Sequence, residues 1–212
     1  FCLSRGLGDV YKRQANELPT SAVISDMDQP EGCAIGNALE VREAIEVLQG
    51  GGPPDVLDLC DALAEALGIR GLRETVPTGA ALAKLGEMIA AQGGDWRVVH
   101  EPDRLPRARL CRPLPASEDG YVSAIDAGGL GRAAVRLGAG RLRKQDAIDP
   151  AVGFVLRAKI GDRVERGQPL VEVHANDESK LDEALRALPA AFAFSASPVA
   201  RPRQVVAIIA AS

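Results

Sequence analysis

Aromatic residues make up only 3% of this 212-residue chain, and the sequence holds no uninterrupted apolar run approaching the roughly 18 residues of a membrane-spanning helix. The first scarcity means that any core is assembled from Ala, Val, Leu and Ile. The second argues against a membrane partner. Histidine occurs twice, at His100 and His174, and neither has a Ser, Cys or His at metal-site or triad spacing. His174 alternates with Val171 and Val173, as a structural strand residue does. No Ser or Cys sits in a G-x-S-x-G turn. Four cysteines occur without a CxxC, so the simplest reading is reduced thiols in a cytoplasm. A basic excess is also missing: the formal charge is −4, which argues against nucleic acid as a partner. Spacing alone therefore assembles no catalytic or substrate-binding set.

What is present is length for one large domain or two small ones, and 22 Gly with 14 Pro, a turn-rich composition. The opening "FCLSRGLGDVYKRQ" has no periodicity and no signal-peptide pattern, and its "GLGDVYKRQ" resembles a translated sequencing-adapter scar. Residues 1–14 are accordingly expected to be unstructured and are set aside. Without them the chain carries 22 basic and 28 acidic residues, and Cys33, Cys60 and Cys111 remain.

Beyond them, "SAVISDM" reads as a strand buried on both faces of a parallel sheet, ended by Pro30 and Gly32. A helix follows with Asn37 as N-cap, Glu40 completing a capping box, and Ala38, Val41, Ile45 and Leu48 as its buried stripe. "DVLDLCDALAEALG" predicts a helix capped by Asp55 that buries Val56, Leu59, Leu63 and Leu67. "TGAALAKLGEMIAAQGG" predicts another from near Thr78, burying Leu82, Leu85 and Ile89. The proline-rich stretch 95–118 reads as an extended connector holding a boundary, giving an α/β unit at 15–112 and an α+β unit at 113–212. In the second unit, "GYVSAID" predicts a strand and "GLGRAAVRLG" a short helix. "VGFVLRAKIGDRVERGQPLVEVHAND" predicts strands around turns, "ESKLDEALRAL" an amphipathic helix, and "ARPRQVVAIIA" a closing strand.

Two motifs carry a functional reading beside a bland one. "AGGLGRAA", with Gly129, Gly131, Ala134 and the later Asp149, imitates a dinucleotide fingerprint. The polar "GAGRLRKQDAIDP" stands where a second parallel strand belongs, so tight helix packing is the better reading. "AKIGDRVERGQPLVEVHA" is similar to the hammerhead (barrel-sandwich) fold of biotinyl and lipoyl carriers. Lys144, Lys159 and Lys180 are not flanked as a carrier lysine is, so the architecture is expected without the cofactor.

The stretch "SAVISDMDQPEGCAIGNALEVREAIEVLQGGGPPDVLDLCDALAEALG" resembles the thymidine and pyrimidine-nucleoside phosphorylases. The likeness continues through "LGEMIAAQGG", "GYVSAIDAGGLGRAAVRLGAGR" and "VGFVLRAKIGDRVERGQPLVEVHA", from Ala15 to about Ile209. The resemblance implies a cytoplasmic homodimer with a small helical and a large α/β domain, which cleaves pyrimidine nucleosides with phosphate to free base and (deoxy)ribose 1-phosphate. The family's "KHSTGGVGD"-like phosphate loop and the residues that grip the pyrimidine lie upstream of this stretch. The chain is therefore expected to be the C-terminal half, inactive alone, with no organic cofactor. The resemblance also implies a potassium ion behind the phosphate loop. Its ligands here would be the main-chain carbonyls of Glu31 and Ala34 and the carboxylate of Glu43, hard oxygens for a hard cation. Where the family usually has Leu, this chain has Glu31. Read from the helix alone, Glu40, Glu43 and Glu46 form a solvated face. Two further functional classes are considered: a carrier or interaction module, and a phosphoribosyltransferase, which lacks the hammerhead-like domain.

Overall fold

A computed structural model describes residues 13, 15, 16 and 19–209. Apart from Arg13, the stretch 1–14 lies outside the described residues. The first strand, β1 (Ala22–Ser25), pairs antiparallel with the last, β9 (Val205–Ile209), with Ala22 opposite Ile209. This corrects the expected parallel strand: a continuous apolar run reports burial, not the direction of its partner. β1 is also only half-buried at each residue.

Two residues, Ala34–Ile35, form β2, and α1 (Asn37–Leu48) follows with Gly36 as its N-cap. The capping pattern is shifted by one position. Glu40 Oε1 accepts from Gly36 N at 2.9 Å, whereas Asn37 Nδ2 donates across the molecule to Ala139 O at 3.0 Å. The buried face of α1 is Ala38, Ile45 and Val47, and Val41 is exposed. Val47 is covered by the turn after the helix. Gly52, at φ +72°, folds its backbone onto Val47, where a Cβ would meet the Val47 side chain at 2.6 Å.

Helix α2 (Pro54–Ala66) starts one residue before the expected Asp55 cap and buries only Ala64, leaving Leu63 and Leu67 exposed. After a turn at Leu72–Thr75, α3 (Ala80–Ala91) packs Leu82 with Ile45 and Val99 in a small core joined by Leu85 and Ile89. The stretch expected to be an extended connector holds two 3-10 turns, Trp96–Val99 and Pro102–Arg104, and then β3 (Leu110–Pro115). Asp95 organises the first by accepting from Arg97 N at 3.2 Å. Position 112 lies within β3.

The remaining elements are β4 (Gly120–Ile125), α4 (Ala127–Ala134), β5 (Gly153–Leu156), β6 (Arg163–Val164), β7 (Pro169–Ala175), α5 (Glu178–Ala187) and β8 (Phe192–Ser195). Two further sheets result, ordered β2-β5-β7-β3 and β6-β4-β8, and every described pairing is antiparallel. Both sheets and the inner faces of α4 and α5 enclose one large core, which includes Phe154, Val122, Leu130, Val173 and Leu181. The molecule is a mixed α/β structure. No described helix is long and apolar enough to cross a membrane.

Candidate functional site

The turn from β1 to α1 is held by side chains from three directions. Glu43 reaches back from α1, and its Oε1 accepts from Cys33 N at 2.8 Å and Ala34 N at 2.9 Å. Asp55, at the start of α2, accepts from Gly32 N at 3.1 Å. Lys159, between β5 and β6, donates to Pro30 O and Gly32 O, each at 2.8 Å, and pairs with the Asp55 carboxylate. Gln29 Oε1 accepts from Ile160 N at 2.9 Å, a fourth tie between the same segments. Gly32 suits this turn, because other residues rarely adopt its backbone conformation. Its φ is +66°, and a Cβ there would lie 2.1 Å from Glu43 Oε2.

Strand register explains which backbone groups remain available. Leu156 N donates to Cys33 O at 2.8 Å, which makes Ala34 and Val155 a non-hydrogen-bonded pair. The N–H and C=O of Ala34 therefore face away from β5; the N–H meets Glu43, and the carbonyl lies along the same free edge. Burial raises the Glu43 carboxyl above its ordinary value, and the bonds from Cys33 and Ala34 only partly offset this.

The three expected ligand residues are thus close in the chain and differently placed. Glu43 turns inward onto the turn and is not part of a solvated face. Ala34 presents its carbonyl edge beside it, and the Glu31 side chain accepts from Ser25 Oγ at 3.2 Å. The donor set of half-buried carboxylate and outward carbonyl fits a hard cation. The neighbouring carbonyls of Pro30 and Gly32 already hold a cation, the ammonium of Lys159. With its ammonium so engaged, Lys159 is not presented as a carrier lysine.

The glycine motif, whose residues form α4 itself, is no phosphate cradle. Asp126 Oδ1 itself accepts from Gly129 N at 2.8 Å, and β4 pairs only antiparallel. Asp149 bonds Ala151 N and Asn176 Nδ2 instead.

A second group lines the same cleft as Glu43. Cys111 on β3 and His174 on β7 are direct register partners, and Glu172 lies two residues along β7 on the same face. Cys111 Sγ is 3.8 Å from His174 Nε2, which lies 3.9 Å from Glu172 Oε2; Arg157 donates to that oxygen at 2.7 Å. Burial lowers the His174 pKa, and Arg157 and Arg42 add to this against Glu172. Sequence spacing cannot find this group, because 63 positions separate Cys111 from His174. Only the pairing of two alternating strands brings them together.

The chain matches the family model of the pyrimidine nucleoside phosphorylase C-terminal domain over residues 121–195. It is 43% identical over 214 positions to the pyrimidine-nucleoside phosphorylase of Geobacillus stearothermophilus, covering 94% of this chain and 48% of that protein. It is 46% identical over 178 positions to the Bacillus subtilis (strain 168) protein of the same name, covering 78% of this chain and 41% of the relative. The chain thus spans about half the length, or less, of these curated relatives. The expected likeness therefore holds from the first turn through both sheets, and the chain belongs to the pyrimidine-nucleoside phosphorylase family.

Proposed function

We propose that these residues serve an enzyme that transfers the sugar of a pyrimidine nucleoside to phosphate, yielding free base and (deoxy)ribose 1-phosphate. The observation that carries this reading is the braced turn at Glu43, within a chain so similar to proteins named for that activity. In this reading the turn supports a potassium ion through the Glu31 and Ala34 carbonyls and the Glu43 carboxylate. The ion supplies fixed positive charge behind a phosphate-binding segment. This chain's own part is to hold those oxygens still. Glu43 clamps the β2 edge, Asp55 and Lys159 fix residues 30–32, and β5 anchors the turn to the large core. The same reading makes the working enzyme a cytoplasmic homodimer without organic cofactor, and the strands that fall within residues 113–212 part of a hammerhead-like, barrel-sandwich unit.

Phosphorolysis needs groups that grip phosphate and base, and no "KHSTGGVGD"-like run occurs in these residues. The 212-residue chain is therefore expected to release no thymine or uracil from thymidine or uridine above background with phosphate present. Release above background would overturn that expectation. Joining the upstream half of the Geobacillus relative at Ala15 is expected to give phosphorolysis. In that chimera Glu43→Gln should raise the phosphate requirement, with partial rescue by high potassium, while Glu46→Gln should be nearly silent. Equal behaviour of the two variants would refute the potassium site.

A further inference from the structure

We propose that Cys111, His174 and Glu172 form a binding site for one borderline-soft divalent cation, with zinc the ion that the donor set suits best. This goes beyond the reading above, which uses none of these three side chains.

The donors are a thiol, an imidazole and a carboxylate, and one ligand atom from each lies within 4.8 Å of the other two. Zinc bond lengths of about 2.0–2.3 Å in a tetrahedral shell call for S···N and N···O separations of about 3.4–3.6 Å. The separations here are 3.8 Å from Cys111 Sγ to His174 Nε2 and 3.9 Å from His174 Nε2 to Glu172 Oε2. A few tenths of an ångström of side-chain rotation closes those two gaps, and the third pair, Cys111 Sγ and a Glu172 oxygen, starts within 4.8 Å.

The scaffold is stiff. β7 lies between β5 and β3, and its opposite face buries Val171, Val173 and Ala175 completely. A one-residue slip would put His174 and Glu172 into that core, so the register that builds the cluster is firmly set. Cys111 is exposed at the rim, which gives an ion a way in. Arg157, bonded to Glu172 Oε2, would remain as an outer partner that orients the carboxylate. Three protein ligands leave a fourth position to water from the cleft. On binding, the Cys111 thiol loses its proton to solvent and a sulfur–metal bond forms, without change of oxidation state.

The test uses the purified 212-residue chain, stripped with chelator and titrated with zinc chloride by calorimetry, then with cobalt(II) followed by absorption. The expected result is one ion per chain at micromolar affinity or tighter, with a thiolate-to-cobalt charge-transfer band. Cys111→Ser should abolish the band, and His174→Gln should weaken zinc binding at least tenfold. Cys60→Ser should change neither, and excess potassium chloride should not compete, which separates this site from the potassium reading. Absence of stoichiometric binding, a cobalt complex without the thiolate band in the unsubstituted chain, or full affinity in both Cys111→Ser and His174→Gln would overturn the proposal.

Discussion

Glu43 keeps a half-buried carboxylate against two backbone donors, so its replacements separate charge from hydrogen bonding. Gln retains an oxygen for Cys33 N and Ala34 N and removes the desolvated charge. Leu leaves both donors without that acceptor, a loss of about 2 kcal/mol for partly buried groups. Urea midpoints at about pH 7 are therefore expected to hold or rise slightly for Glu43→Gln and to fall clearly for Glu43→Leu. The sign of the pH dependence follows from burial. The folded carboxyl titrates above its unfolded value of about 4.3, so the ionised group counts against the fold above the folded value. Below the unfolded value both states carry the proton and the effect is gone. The advantage of Gln should accordingly shrink as the pH is lowered from about 7 to about 4. An advantage that persisted at low pH would place its origin elsewhere than in the charge.

Among the elements, the loop between β5 and β6 ties together parts of the chain that are far apart in sequence. Lys159 reaches Pro30, Gly32 and Asp55, and its side chain keeps 17% of its exposure and that of Asp55 20%. Lys159→Met would leave a carboxylate and two carbonyls without their cation. Loss of one partner from a fully buried pair costs about 3–5 kcal/mol, and the residual exposure here lowers the expected cost to about 2 kcal/mol. The double variant Lys159→Met with Asp55→Asn should recover part of that loss in denaturant unfolding; strict additivity would rule out their coupling. None of these ties is visible in local pattern, and that marks the limit of what the sequence discloses. Periodicity placed α1 and α3, and the alternation in "PLVEVHA" placed β7, because those signals are local. The cap of α1 slipped from Asn37 to Gly36 because Asn37 is drawn to Ala139, and Asp55 left its capping role for Gly32 and Lys159. The direction of β1 depended on β9, and the Cys111–His174 pair on a register between strands; neither is encoded within a few residues.

Over the whole molecule, burial is unequal. The core enclosed by the two sheets is large and contiguous, whereas the helical core has three buried residues, Ile45, Leu82 and Val99. Local opening should follow that difference. Native-state hydrogen exchange is expected to show amides of β5 and β7 exchanging only through global unfolding, and those of α3 through a smaller opening with a weaker denaturant dependence. A single shared opening energy for α3 and β7 would contradict it. Phe154→Ala, at a fully buried ring on β5, is expected to cost about 3–5 kcal/mol and to lower the global opening energy most.

The antiparallel pairing of β2 with β5 sets Ala34 against Val155. On a ribosome adding about 5–20 residues per second, the turn that carries Glu43 emerges several seconds or more before the strand and the lysine that complete it. Until then Pro30 and Gly32 keep their carbonyls in water, and α1 has no sheet to lean on. The outward edge at Ala34 is therefore a late product of synthesis, assembled only once the chain has been made through Lys159. A chain stopped before Lys159 would leave Pro30 and Gly32 without their ammonium and Asp55 without its partner.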